Sequence, residues 1–148
     1  MKIRIPLFAA IFLFVLSALA AAAAVNWQNA LSTASGNYLF NPNSVHTVGT
    51  DDVIQAQLKL ELSADGIQKL MEHYADTQDT TSWTAASYVT SISRFNLKDR
   101  ITTVKDIYIY NADDQLLAEI PEEQTMDMTA GSTQEKLASF LVQWLYEN

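Results

Sequence analysis

The segment Val53–Leu62 alternates without a break. Ile54, Ala56, Leu58, Leu60 and Leu62 fall on one side of an extended chain, and Val53, Gln55, Gln57, Lys59 and Glu61 on the other. Successive side chains of a strand point to opposite faces, so this strand is apolar on one face and wet on the other. A sheet wet on one face is antiparallel, because the crossovers of a parallel sheet cover both of its faces. Its apolar face must be buried under helices or a second sheet.

Two segments supply helices. Ser63 caps the first, with Ile67, Leu70, Met71 and Tyr74 on one stripe, and it ends near Asp76. Gly66, in its first turn, is a poor helix former. Ser132 and Glu135 form a capping box in which the Glu side chain returns to the Ser N–H. The helix that follows carries Leu137, Phe140, Leu141, Trp144 and Leu145 on a wide apolar face, which is expected to cover Leu58, Leu60 and Leu62.

The remaining strands are shorter or less regular. Asn26–Leu31 is a candidate first strand anchored by Trp27, and Ser35-Gly36-Asn37 turns the chain into Tyr38-Leu39-Phe40. Trp83–Leu97, Ile101–Tyr110 and Gln115–Ile120 are rich in β-branched and aromatic residues and form a meander by adjacency. Pro121–Gly131 is loop. The expected fold is α+β: an antiparallel sheet of about five to six strands, packed by one middle helix and a C-terminal helix.

The first 24 residues are of another kind. Lys2 and Arg4 precede an apolar run from Leu7 to Leu16, followed by alanines up to Ala24. This is the layout of an export signal, with Ala22-Ala23-Ala24 as a small-residue cleavage site. The rival is an uncut anchor, since Leu7–Ala24 is just long enough to span a bilayer. Its alanine-rich half suits a peptidase better. The expected organisation is a signal peptide at 1–24 and a single domain at 25–148. That domain would be periplasmic, on the cell surface or secreted, with no membrane insertion once the leader is cleaved.

Beyond residue 24 the chain holds seven Lys and Arg against seventeen Asp and Glu, a net charge of −10. A nucleic-acid binder needs clustered cations to displace counterions, so that class is disfavoured. The absence of cysteine removes disulfides, thiolate metal sites, a cysteine nucleophile and a lipidated Cys.

Little chemistry is signalled. His46 and His73 are the only imidazoles and belong to no zinc-binding motif. Asn111-x-Asp113-x-Gln115 mimics a calcium loop, but Leu116 stands where that loop needs Gly, and the segment reads as a hairpin turn. Ser132 is a helix cap with no nucleophile elbow around it. No glycine-rich phosphate loop is present. The expectation is a protein that is not an enzyme and carries no metal or cofactor.

The aromatic residues are the remaining lead. On Ile101–Tyr110, Ile107 and Ile109 face one way and Tyr108 and Tyr110 the other. Either the strand is covered on both faces, or Tyr108 and Tyr110 are exposed, where such residues favour protein interfaces. These two are the candidate protein-binding residues.

Several segments together resemble the surface-adhesin protein E-like family of small exported bacterial proteins, over Trp27 to about Leu145. They are the early Trp27, the stretch from Tyr38 through Asn41, Ser44 and Val45, the strand Val53–Leu62, the strand–turn–strand from Ile107 to Leu117, and Thr129–Leu137 with its Gly131-Ser132. The family commonly has a Cys in the central strand and another near the C-terminus. Here neither exists, and packing of residues such as Phe95 and Trp144 stands in for that staple. Ala130 replaces the usual Pro before Gly-Ser, and the usual turn Gly is missing around Asp113–Gln115. The resemblance implies the fold, export and dimer formation, and adhesion belongs to only some members of the family. The expectation is a non-catalytic domain that binds a protein partner or another copy of itself by a sheet face or edge. Two alternatives stay open: a periplasmic small-ligand-binding or enzymatic module with a cleft between sheet and helix, and an envelope protein retained by an uncut leader.

Overall fold

The structure is a computed structural model that describes residues 25–148. The leader expected at 1–24 lies outside the described residues. Eight strands form one antiparallel sheet: β1 (Gln28–Thr33), β2 (Gly36–Phe40), β3 (His46–Val48), β4 (Thr50–Leu62), β5 (Ala86–Asn96), β6 (Ile101–Asn111), β7 (Leu116–Ile120) and β8 (Gln124–Asp127). Helix α1 (Ala64–Tyr74) follows β4, and helix α2 (Thr133–Glu147) closes the chain. The α+β architecture matches the sequence expectation.

The sheet is built on three long strands in the order β4-β5-β6. Each outer edge of that trio is shared by two short strands laid end to end. β2 pairs with Leu58–Leu62 of β4, and β3 with its opposite end. β7 pairs with Ile107–Tyr110 of β6, and β8 with Ile101–Val104. β1 extends the sheet beyond β2.

The sequence reading missed β3 and β8. Both are short edge strands with no alternation of their own, fixed by a neighbour's backbone. The break between β2 and β3 is held by Asn41-Pro42-Asn43-Ser44. Asn41 Oδ1 accepts from Asn43 N (3.1 Å), and Asn41 Nδ2 donates to Gln57 Oε1 (3.0 Å). Ser44 Oγ donates to the Asn41 carbonyl (2.7 Å) and accepts from Gln57 N (2.8 Å). Two further boundaries shift. Trp83 belongs to a 3₁₀ turn, Thr81–Ala85, and is buried there rather than starting β5. Trp27 precedes β1 rather than sitting within it.

Both helices cover the same face, at opposite ends. Under α2, Phe40, Ile54, Ala56, Leu58 and Phe95 meet Leu137, Ala138 and Leu141. Phe40 takes edge-on contacts from Phe140 (centroids 5.2 Å) and Trp144 (5.5 Å). Phe95 and Trp144 both lie in this cluster. Under α1, Tyr74, Trp83, Ile107, Ile109 and Ile120 form a second cluster, with Leu62 and Val89 at its edge. The C-terminal helix therefore covers Leu58 but leaves Leu62 to α1.

The α1 start explains Gly66. A Cβ there would stand 2.0 Å from the Ser35 carbonyl oxygen, so the β1–β2 turn can dock on the helix only where a side chain is lacking. Ser63 completes the joint. Its Oγ donates to the Ala34 carbonyl (2.7 Å) and accepts from Gly66 N (3.0 Å). At α2, Ser132 Oγ accepts from Glu135 N (3.2 Å) as expected. The Glu135 carboxylate reaches past Ser132 and accepts from Gly131 N (3.0 Å), because Ser132 N is already bonded to the Thr129 carbonyl. Arg100 also pairs with Glu135 and donates to the Met128 carbonyl (2.8 Å), tying the β5–β6 hairpin to α2.

Candidate functional site

β6 changes face part-way along. Thr102 and Val104 point toward the helices, and so do Ile107 and Ile109. Even and odd positions can share a face only if one residue is extra. That residue is Asp106, at φ 51° where the β5–β6 register shifts. Asp tolerates this left-handed conformation better than most residues, and a bulge of this kind re-aims the side chains after it. With Asp106 in place, both isoleucines reach the core and Tyr108 and Tyr110 reach the open face.

The strand is thus central, and the two candidate tyrosines are nevertheless half-exposed, on the face without helices. The register gathers other groups around them. Tyr88 of β5 lies opposite Tyr110 and Glu61. Its ring stacks on Tyr110 with centroids 4.9 Å apart and 19° between planes. Lys59 Nζ sits 4.2 Å from the Tyr88 ring centroid and 5.9 Å from that of Trp27, giving a cation between two aromatic rings. Tyr88 Oη donates to Asp114 Oδ1 at 2.8 Å. Tyr108 lies opposite Glu119, and Tyr110 opposite Leu116, which is 54% exposed.

Acids rim this patch: Glu61, Asp106, Asp113, Asp114 and Glu119 are all exposed. Burial pushes the Tyr88 phenol far above its ordinary value, helped by its bond to Asp114 and by the Asp114 charge. The Glu119 charge raises Tyr108, with burial and Asp106 adding to it. Both phenols therefore stay protonated and can donate hydrogen bonds. The hairpin turn beside them is fixed by Asn111 Oδ1, which accepts from Asp113 N (2.9 Å) and Gln115 N (3.0 Å). Asn111 Nδ2 in turn donates to Gln115 Oε1 (2.9 Å), so the segment forms the hairpin turn that the sequence reading expects, with the Asp113 carboxylate left to the rim.

Sequence reasoning singled out Tyr108 and Tyr110 and missed Tyr88, Lys59 and Trp27. The alternation of β4 marks Lys59 as solvent-facing. Its aromatic neighbours depend on pairing register, which no local pattern carries.

The helix-covered face has a feature of its own. Between α1 and α2 the sheet is left partly uncovered, forming a cleft of about 500 Å³. Leu58, Leu60, Val89 and Val104 line its floor together with Ser91, Ser93 and Thr102. Lys69, His73 and Tyr74 come from α1, Gln134 and Leu137 from α2, and Met126 from β8. Thr102 is 1% exposed, and its Oγ1 has no hydrogen-bond partner among the described residues. An unpaired buried hydroxyl costs about 1–3 kcal/mol. Burial also raises the Tyr38 phenol at one end of this cleft. Among the described residues no three potential metal-ligating side chains cluster, and no helix is long and apolar enough to cross a membrane.

Solved structures share the fold. Crystal form II of Haemophilus influenzae protein E superposes with a TM-score of 0.52 at 11% identity, covering 82% of this chain and 90% of that one. Its selenomethionine form gives a TM-score of 0.50 at 9% identity, covering 79% and 85%. The fold is protein E-like. No family model matches the sequence, and no curated protein matches it. The likeness to protein E therefore rests on the path of the backbone, and the residues on its two faces must be read for themselves.

Proposed function

We propose that the chain is an exported bacterial envelope or surface protein that acts without catalysis, by holding a basic segment of a protein partner on the open face of its sheet. The resemblance to the surface-adhesin protein E-like family and the protein E-like fold support the exported setting. The observation that carries the binding reading is the aromatic patch of Tyr88, Tyr108, Tyr110 and Leu116 inside a rim of five exposed acids. Tyrosine supplies contact area at low cost in side-chain entropy, and its ring face attracts Lys and Arg. Lys59 beside Tyr88 already makes such a contact within the chain. A second copy of the same acid-rimmed patch would be repelled, which favours a basic partner over self-pairing.

The test is a titration of the protein with a short Lys/Arg-rich peptide, followed by amide chemical shifts. Saturable shifts on β5, β6 and β7 around the tyrosines are expected, weakening as salt rises. Tyr108→Ala with Tyr110→Ala leaves the charge unchanged and should remove the binding. Shifts that map elsewhere, or binding indifferent to that double substitution, overturn the reading. A dimer formed through this face in sedimentation would replace the basic partner with a second copy.

A further inference from the structure

We propose that the cleft between α1 and α2 is a second, separate binding site, for a linear aliphatic carboxylate that carries a further polar group along its chain. The cleft volume of about 500 Å³ lies within the range of small-molecule sites, and its lining has their character, apolar with a few placed polar groups. Leu60, Val89 and Val104, which are only partly buried, offer an aliphatic chain a floor to cover.

Charge selects the head group. No Asp or Glu lines the cleft, although the chain beyond residue 24 holds seventeen of them. The basic side chains that do line it are Lys69 and His73, one helical turn apart on the same side of α1. The ion pair made by Lys69 is with Asp65 at 3.1 Å, and both side chains are more than half exposed. Such a pair is weak, so a ligand carboxylate can compete for the ammonium. An anion meets less repulsion here than on the acidic open face.

The floor selects the second polar group. Thr102 Oγ1 is buried and unpartnered, and Ser93 is 3% exposed on the same floor. A hydroxyl can donate and accept, so a hydroxyl or carbonyl on the ligand chain satisfies it, where a plain hydrocarbon leaves it unpaired.

The experiment compares dodecanoate with 12-hydroxydodecanoate by calorimetry, below their aggregation concentrations, on the protein as the expressing cell processes it. Amide shifts locate each ligand. Both are expected to bind one per chain in the cleft, the hydroxy acid about fivefold tighter. Thr102→Val keeps the shape of the side chain and removes the hydroxyl, so it should abolish that preference and retain dodecanoate binding. Lys69→Gln, on an exposed helix face, should weaken both acids about threefold and leave dodecanol unaffected. Failure of both acids to bind, shifts confined to the open face, or a preference that survives Thr102→Val each overturn the proposal. Shifts confined to the open face would also count against the tyrosine patch as a site for basic segments, whereas the other two outcomes leave that reading, on the other side of the sheet, untouched.

Discussion

On the helix side of the sheet, Phe40, Phe95, Ile109 and Leu141 are no more than 1% exposed. On the opposite side, Tyr88 of β5 and Tyr108 and Tyr110 of β6 remain half-exposed, with Tyr88 held by its stack on Tyr110, a cation and a carboxylate. One face derives its stability from apolar area removed from water, and the other from a few directional contacts. Substitutions on the two faces should therefore be felt differently. Changes in the packed clusters under the two helices should read out as lost folding free energy, and changes on the open face as lost recognition.

The strongest way to break that division is Phe40→Ala. It removes a 1% exposed ring that meets Phe140 and Trp144 edge-on, and should cost about 3–5 kcal/mol in denaturant unfolding. Asp106→Val comes next, because Asp106 assigns the later residues of β6 to their faces from a φ of 51°. A β-branched residue there should cost about 1–2 kcal/mol by the same measurement, while Asp106→Gly should be tolerated. Tyr110→Ala should cost about 0.5–1.5 kcal/mol, the worth of its stack on Tyr88. A loss as large as that of Phe40→Ala would erase the distinction between the faces.

The smallest effect is a pH dependence at the N-terminus of α2. The Gly131 N–H and the Arg100 guanidinium hold the Glu135 carboxyl below its ordinary value. A carboxyl lowered on folding adds stability that is fully present above the unfolded value, near 4.5, and is lost as pH falls through the folded one. Thermal midpoints measured downward from pH 6 should therefore fall less steeply for Glu135→Gln than for the parent. Equal slopes would show that the contact stabilises nothing.

Much of the helix-side face was legible in the sequence. The alternation of Val53–Leu62, the caps Ser63 and Ser132 and the stripe Leu137–Leu145 are local patterns, and each names its own element. Where the apolar stripe of α2 would land was less legible. Two helices divide one face, and the division is set by the β1–β2 turn docking on Gly66, a contact made across 31 residues of chain. The same holds for the cleft, which exists because α1 and α2 stand apart. β3 and β8 were missed because an edge strand of three or four residues carries no period of its own. On the open face, Tyr108 and Tyr110 could be read from one strand. Tyr88 could not, since its place beside them depends on register and on the extra residue at Asp106.

Hydroxyl-radical footprinting of the free protein, read by mass spectrometry, tests the two-faced arrangement most directly. Tyr108, Tyr110 and Leu116 should oxidise readily, while Phe40, Trp83 and Phe95 should be protected, and a Lys/Arg-rich peptide should shield the first group alone. Oxidation of Phe40 and Phe95 as fast as the tyrosines, or tyrosines already shielded without the peptide, would contradict it.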